Sequence, residues 1–156
     1  MAPGEESADI RISDEESRAR APSSEPWMPD DSHIHILYVD DDPDMAHFFQ
    51  IYLEKTTDFK IHTSRNVREA LSYLSGHNPC DIVISDYYMP VMDGISLLKE
   101  LHKNPASPPF ILFTGKGREE VVMEAINNGA AFYLQKGDDT RTLFAELIHK
   151  IRQAVG

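Results

Sequence analysis

The sequence predicts an α/β fold of five βα units, (βα)5, with a doubly wound, five-stranded parallel sheet in the order 2-1-3-4-5. Two observations lead there. From residue 33 onward, short aliphatic runs alternate with segments of helical period, the pattern of a parallel sheet covered by helices on both faces. Four of the five runs also end in a chemically distinctive residue or group: Asp40-Asp41-Asp42, Asp86, Thr114 and Lys136. In open α/β sheets functional groups gather beyond the carboxyl ends of the strands, and this strand order sets those four ends side by side.

The strands are read as IHILYV (34–39), FKIHT (59–63), DIVIS (81–85), PFILF (109–113) and AFYLQ (131–135). The first helix starts near Asp42-Pro43, because Asp is a good N-cap and Pro fits the first helical position; its inward stripe is Met45, Phe48, Phe49, Tyr52 and Leu53. The second runs from about Asn66, with Val67, Ala70, Leu71 and Leu74 inward, and ends at Gly76. The third opens at Gly94, buries Ile95, Leu97, Leu98 and Leu101, and breaks before Pro105. The fourth begins near Arg118, offers Val121, Val122, Ala125 and Ile126, and closes on a left-handed Gly129. The fifth comes after Asp138-Asp139 and carries Leu143, Phe144, Leu147, Ile148 and Ile151. These stripes read as core.

The chain of 156 residues is 41% hydrophobic, enough for one sizeable core in residues 33–156. Residues 1–32 are different: nine acidic against three basic residues, rich in Glu, Ser and Pro and poor in aliphatics, read as a disordered acidic N-terminal tail, with Met28 as an alternative start. The net charge of -11 argues against nucleic-acid binding through phosphate neutralisation. No apolar stretch is long enough to span a membrane and no signal peptide is readable, so a cytoplasmic protein is expected. The single cysteine, Cys80, is read as a small buried side chain, and the seven histidines show no metal spacing.

Several carboxylates drawn together repel one another, and burial raises the cost, so the acidic strand ends ask for a hard divalent cation. Mg2+ suits oxygen ligands: one or two carboxylates, a carbonyl from the loop after Asp86, and waters. A remaining carboxylate, Asp86, is then placed to attack phosphorus and form an acyl phosphate. Lys136 supplies an ammonium to balance phosphoryl charge, and Thr114 a hydroxyl to bond a phosphoryl oxygen. Each alone is ordinary: DDDPD is a helix cap with solvated acids, Thr114 a strand end, Lys136 a surface lysine. Their joint arrival at neighbouring strand ends is what points to chemistry.

With these residues in place, the stretch from 34 to 155 resembles the receiver domain of two-component response regulators, a CheY-like (flavodoxin-like) family. ILYVDDDPDM resembles its first strand and acidic pair, Asp40 and Asp41; DIVISDYYMPVMDG resembles its phospho-acceptor segment; ILFTG and AFYLQKG resemble the switch-hydroxyl and lysine segments. The wording FILFTGKGREEVVMEAINNGAAFYLQKG is similar to receivers of archaeal type. The resemblance implies Asp86 as acceptor of a phosphoryl group from a histidine kinase, with Mg2+ held by Asp41, Asp86 and the backbone carbonyl of Tyr88, and Asp40 acting mainly through a bound water. It implies Thr114 and Tyr133 as the switch pair, Lys136 as the charge partner, and the surface of the fourth helix, fifth strand and fifth helix as readout, through which a homodimer also fits. The output partner that the resemblance implies is a downstream protein or a fused domain. Tyr88 and Lys116 occupy positions that tune phosphoryl lifetime, and Gly137 stands where the family usually has Pro, leaving the last loop looser.

Three functional classes are compatible with these residues. The first is this phospho-accepting switch, with no separate substrate turnover. The second is a Mg2+-dependent aspartyl-phosphate phosphatase or phosphotransferase, which usually wants a second Asp two residues after the nucleophile, where this chain has Tyr88. The third is an interaction module that signals without phosphorylation, disfavoured by the intact acidic, threonine and lysine positions. TGKGREE lacks the spacing of a P-loop and reads as the start of the fourth helix. After Ile151 only RQAVG remains, so the receiver either acts by docking to partners or is one domain of a longer polypeptide.

Overall fold

The computed structural model describes residues 33–115, 118–137 and 139–156. The expectations for residues 1–32 and for Lys116 lie outside those residues. Among the described residues, five strands and five helices alternate: β1 (His35–Val39), α1 (Pro43–Thr56), β2 (Lys60–Ser64), α2 (Val67–Ser75), β3 (Ile82–Ser85), α3 (Gly94–Leu101), β4 (Phe110–Thr114), α4 (Glu119–Asn127), β5 (Phe132–Gln135) and α5 (Thr140–Val155). The strands are all parallel, in the order β2-β1-β3-β4-β5. Each strand begins one residue later than its apolar run. Thr114, expected just past β4, is its last residue and pairs with Gln135 of β5.

Because successive strand residues point to opposite faces, the sheet sorts its side chains into two cores. Ile36, Tyr38, Ile82, Ile84, Ile111, Phe113 and Leu134 pack with Phe49 and Leu53 of α1 and Phe144, Leu147 and Ile151 of α5. Leu37, Val39, Val83, Phe110 and Leu112 pack on the other face with Ile95, Leu97 and Leu98 of α3 and Val121 and Ala125 of α4. Each large side chain so buried contributes about 1.5–3 kcal/mol.

The helix starts match their caps. Asp42 accepts from the amides of Asp44 (3.0 Å) and Met45 (3.3 Å), and Asp93 from Ser96 (2.8 Å). Gly129 closes α4 with φ of 94°, as its position demanded.

Two residues of the expected inward stripes are corrected. Phe48 is 43% exposed and Ile126 49%. On α1 the sheet takes only Ala46, Phe49 and Leu53, so Phe48 lies on the flank with its ring edge-on to Phe144. On α4 the buried stripe is as narrow as Val121 and Ala125, which leaves Ile126 outside it. Cys80, expected buried, is half-buried; its Sγ lies 3.3 Å from the Ile82 carbonyl oxygen, and burial pushes the thiol up to about 11.

Candidate functional site

Parallel pairing in register is what brings the strand ends together. The Asp86 amide donates to the Val39 carbonyl (2.9 Å), the Asp40 amide to the Ser64 carbonyl (3.0 Å), and the Lys136 amide to the Thr114 carbonyl (2.9 Å). These bonds extend the ladders one step past each strand. Asp40, Asp86 and Lys136 thereby continue the alternation of Tyr38, Ile84 and Leu134, on the α1 and α5 side of the sheet. Thr114 and Tyr133 continue the opposite alternation, that of Leu112, on the side of α3 and α4.

Asp40 is 1% exposed. Its Oδ2 accepts from the Tyr38 hydroxyl (2.7 Å) and lies 3.3 Å from Lys136 Nζ; its Oδ1 accepts from the Asp42 amide (3.0 Å). Lys136 Nζ also lies 3.8 Å from Asp86 Oδ1 and 5.5 Å from the centre of the Phe113 ring, so one ammonium spans two carboxylates over an aromatic face. Asp41, unlike its neighbour, is exposed. One carboxylate oxygen from each of Asp40, Asp41 and Asp86 lies within 4.8 Å of the others. Asp42 is not in that group, since its carboxylate caps α1.

Asp86 is half-buried, with Oδ1 accepting from the Tyr87 amide (2.9 Å). Burial raises its pKa above the ordinary carboxylate value; the Lys136 ammonium and the nearby Thr114 hydroxyl offset part of that, and Asp40 adds to it. The Thr114 hydroxyl nonetheless sits outside hydrogen-bonding geometry. Thr114 Oγ1 and Tyr133 Oη are both buried and have no hydrogen-bond partner among the described residues. Leaving such a group unpaired costs about 1–3 kcal/mol, and each is therefore primed to accept a new partner.

Gly94, at the first position of α3, donates its amide to the Tyr87 carbonyl (3.0 Å) and packs directly against the backbone of Asp86. This close approach explains the Asp-Gly of the segment after Asp86. Gly137 has neither a positive φ nor any described atom within 4 Å of where a Cβ would lie. Tyr88 is 47% exposed, its ring edge-on to Tyr87 at 4.7 Å.

Of the side chains singled out in the sequence at the ends of β1, β3, β4 and β5, Asp40, Asp41, Asp86, Thr114 and Lys136 thus meet at one edge of the sheet, and Asp42 instead caps α1. The residue sequence reasoning missed is Tyr38. Its signal was available: it stands two residues before Asp40, hence on the same strand face, and a buried phenol needs a hydrogen-bond partner.

The donor set suits Mg2+, since three hard carboxylate oxygens lie within reach of a single small ion and no softer ligand stands among them. Among the described residues, no helix is long and apolar enough to cross a membrane.

Residues 36–148 match the family model of the response regulator receiver domain. The chain is 35% identical over 109 residues to the response regulator SaeR of Staphylococcus aureus, covering 70% of this chain and 46% of that protein. It thus spans about half the length of the curated relatives it matches. Among solved structures it is similar to a CheY-like receiver domain protein of Methanospirillum hungatei (26% identity, TM-score 0.69, 79% of this chain and 97% of that one). It is also similar to the response regulator TrrA of Thermotoga maritima, solved in complex with Mg2+ and BeF (26% identity, TM-score 0.67, 78% and 98%).

Proposed function

The chain belongs to the response regulator receiver domain family, and from that premise we propose that Asp86 is its phospho-acceptor and that phosphorylation switches the surface formed by α4, β5 and α5. One observation carries the reading: Lys136 Nζ reaches both Asp40 (3.3 Å) and Asp86 (3.8 Å) beside a buried, unpartnered Thr114 hydroxyl. That is an anion site with its cation and its hydrogen-bond donor in place before the anion arrives.

In the proposed reaction an Asp86 carboxylate oxygen attacks the phosphorus of a phosphohistidine on a histidine kinase. An O–P bond forms as the P–N bond breaks, and the bonding pair stays on the imidazole nitrogen. Desolvation that raises the Asp86 pKa also strengthens the carboxylate as a nucleophile. Lys136 balances the transferred charge, and the Thr114 hydroxyl turns to donate to a phosphoryl oxygen. Its movement makes room for the Tyr133 ring and shifts a two-state equilibrium toward the form that binds a downstream protein or fused domain. Asp41, Asp86 and the backbone carbonyl of Tyr88 would hold Mg2+, with Asp40 acting mainly through a bound water, and the ion would supply charge neutralisation at the phosphoryl oxygens.

Receiver domains are signalling domains, and multiple turnover of a generic phosphate ester is not expected. Tyr88, where a related phosphatase would carry its second acid, supports that expectation. The test is incubation of the protein with acetyl phosphate or a phosphorylated histidine kinase in Mg2+. Base-labile phosphate should accumulate on the wild type and not on Asp86→Asn, with an unchanged circular dichroism spectrum. Equal incorporation by both proteins overturns the assignment.

A further inference from the structure

The acidic site has a buried member that the reaction above leaves idle. Tyr38 lies within β1, its side chain wholly inaccessible, with its ring stacked on Phe49 at 3.8 Å and 6°. A phenylalanine would fill the same volume and make the same stack. The hydroxyl adds one thing, the 2.7 Å bond to Asp40 Oδ2, and it is the shortest contact that carboxylate makes.

We infer that Tyr38 is a positioning residue: its hydroxyl locks the Asp40 carboxylate in the rotamer that Mg2+ and Lys136 require. An ionised carboxylate offers about four acceptor positions. Tyr38 and Lys136 occupy those of Oδ2, and the Asp42 amide takes one on Oδ1, which leaves about one free. A carboxylate so committed has room for a single metal-bound water. That explains within this chain why Asp40 serves through water while the exposed Asp41 and half-buried Asp86 are left for direct ligation. Sharing Oδ2 between two donors also loosens the hold of Asp40 on Lys136, which leaves the ammonium at 3.8 Å from Asp86 free to move with the phosphoryl group. Removing the hydroxyl frees the carboxylate to rotate and draws Lys136 wholly onto Asp40.

This inference rests on the receiver chemistry proposed above, and its test separates the two. Mg2+ binding is measured by isothermal titration calorimetry on the unphosphorylated full chain, as wild type, Tyr38→Phe, Tyr38→Leu, Asp40→Asn and Tyr38→Phe with Asp40→Asn. Loss of a hydrogen bond behind a metal-site carboxylate costs about 10-fold in affinity or more. Tyr38→Phe should therefore weaken Mg2+ about 10-fold, and Tyr38→Leu by the same factor although it also loses the Phe49 stack and melts earlier. In the Asp40→Asn background Tyr38→Phe should change nothing, because the carboxylate it positions is gone. The phosphorylation rate with acetyl phosphate should fall in step for Tyr38→Phe at a Mg2+ concentration below its dissociation constant and recover at saturating Mg2+. An affinity unchanged within twofold, a factor that persists without Asp40, or an affinity that tracks melting temperature across the Phe and Leu variants overturns the inference, as does a failure of both to fold. A wild type that binds no Mg2+ overturns the metal-dependent reading itself.

Discussion

A Cβ placed on Gly94 would collide with the carbonyl oxygen of Asp86. The first residue of α3 and Asp86, just past the end of β3, are in backbone contact, so the position of the carboxylate is fixed by how closely α3 approaches the sheet. Gly94→Ala should force them apart. The expected loss is about 1–3 kcal/mol in urea unfolding, typical of overpacking, together with weaker Mg2+ binding because Asp86 is displaced. Wild-type behaviour in both measurements would show that the loop yields without moving Asp86.

The electrostatics of Asp86 give a stability prediction with a definite sign. Burial raises its folded-state pKa above the unfolded value of about 3.9, with Lys136 partly offsetting and Asp40 adding to the shift. A raised folded pKa means the native state binds the proton more tightly. The stabilisation is therefore complete below about pH 4 and is lost as pH rises through the folded value; at neutral pH the ionised carboxylate weakens the fold. Without divalent ions, Asp86→Asn should be more stable than wild type at pH 7, since Lys136 keeps Asp40 as a partner at 3.3 Å. The difference should close as pH falls toward 4. Denaturant midpoints in EDTA across that range measure it, and equal midpoints at pH 7 contradict it.

Gly137 stands where the family resemblance leads one to expect proline, and the structure makes the glycine dispensable. It lacks a positive φ, and no atom of the described residues lies within 4 Å of its Cβ position, so alanine is expected to fit there. Gly137→Ala should stabilise the protein by about 0.4–1 kcal/mol, chiefly by narrowing the unfolded ensemble. Phosphorylation by acetyl phosphate should be unchanged, because Lys136 is anchored through its own amide to the Thr114 carbonyl (2.9 Å) and does not depend on the conformation of residue 137. A slower rate in the alanine variant would show that freedom at 137 is used in the reaction.

The sheet and its meeting point were legible because both arise from one-dimensional signals. Aliphatic runs of strand length alternated with helical periods, and chemically unusual residues stood where those runs stopped, so Asp40, Asp86, Thr114 and Lys136 could be placed at one edge without any knowledge of packing. The hidden features depend on neighbours. A helical stripe does not say how wide a strip the sheet will accept, and Phe48 and Ile126 fell just outside it. Thr114 was read past the end of β4 because ladder pairing to Gln135, not apolarity, defines that end. Tyr38 was read only as part of an apolar run, although strand parity already put it on the face of Asp40; that the two bond depends on how their side chains pack.

The one-residue difference in strand parity has a wider consequence. Asp40, Asp86 and Lys136 belong to the α1 and α5 side of the sheet, and Thr114 and Tyr133 to the side of α3 and α4. Under the proposed assignment the charged cluster thus sits on one face of the sheet and the switch pair on the other, with Asp86 at the rim between them. If Asp86 is charged as proposed, substitutions beneath α1 that touch only Asp40 or Lys136 should act first on the speed of charging, whereas Thr114, on the opposite face, would be felt in both charging and output.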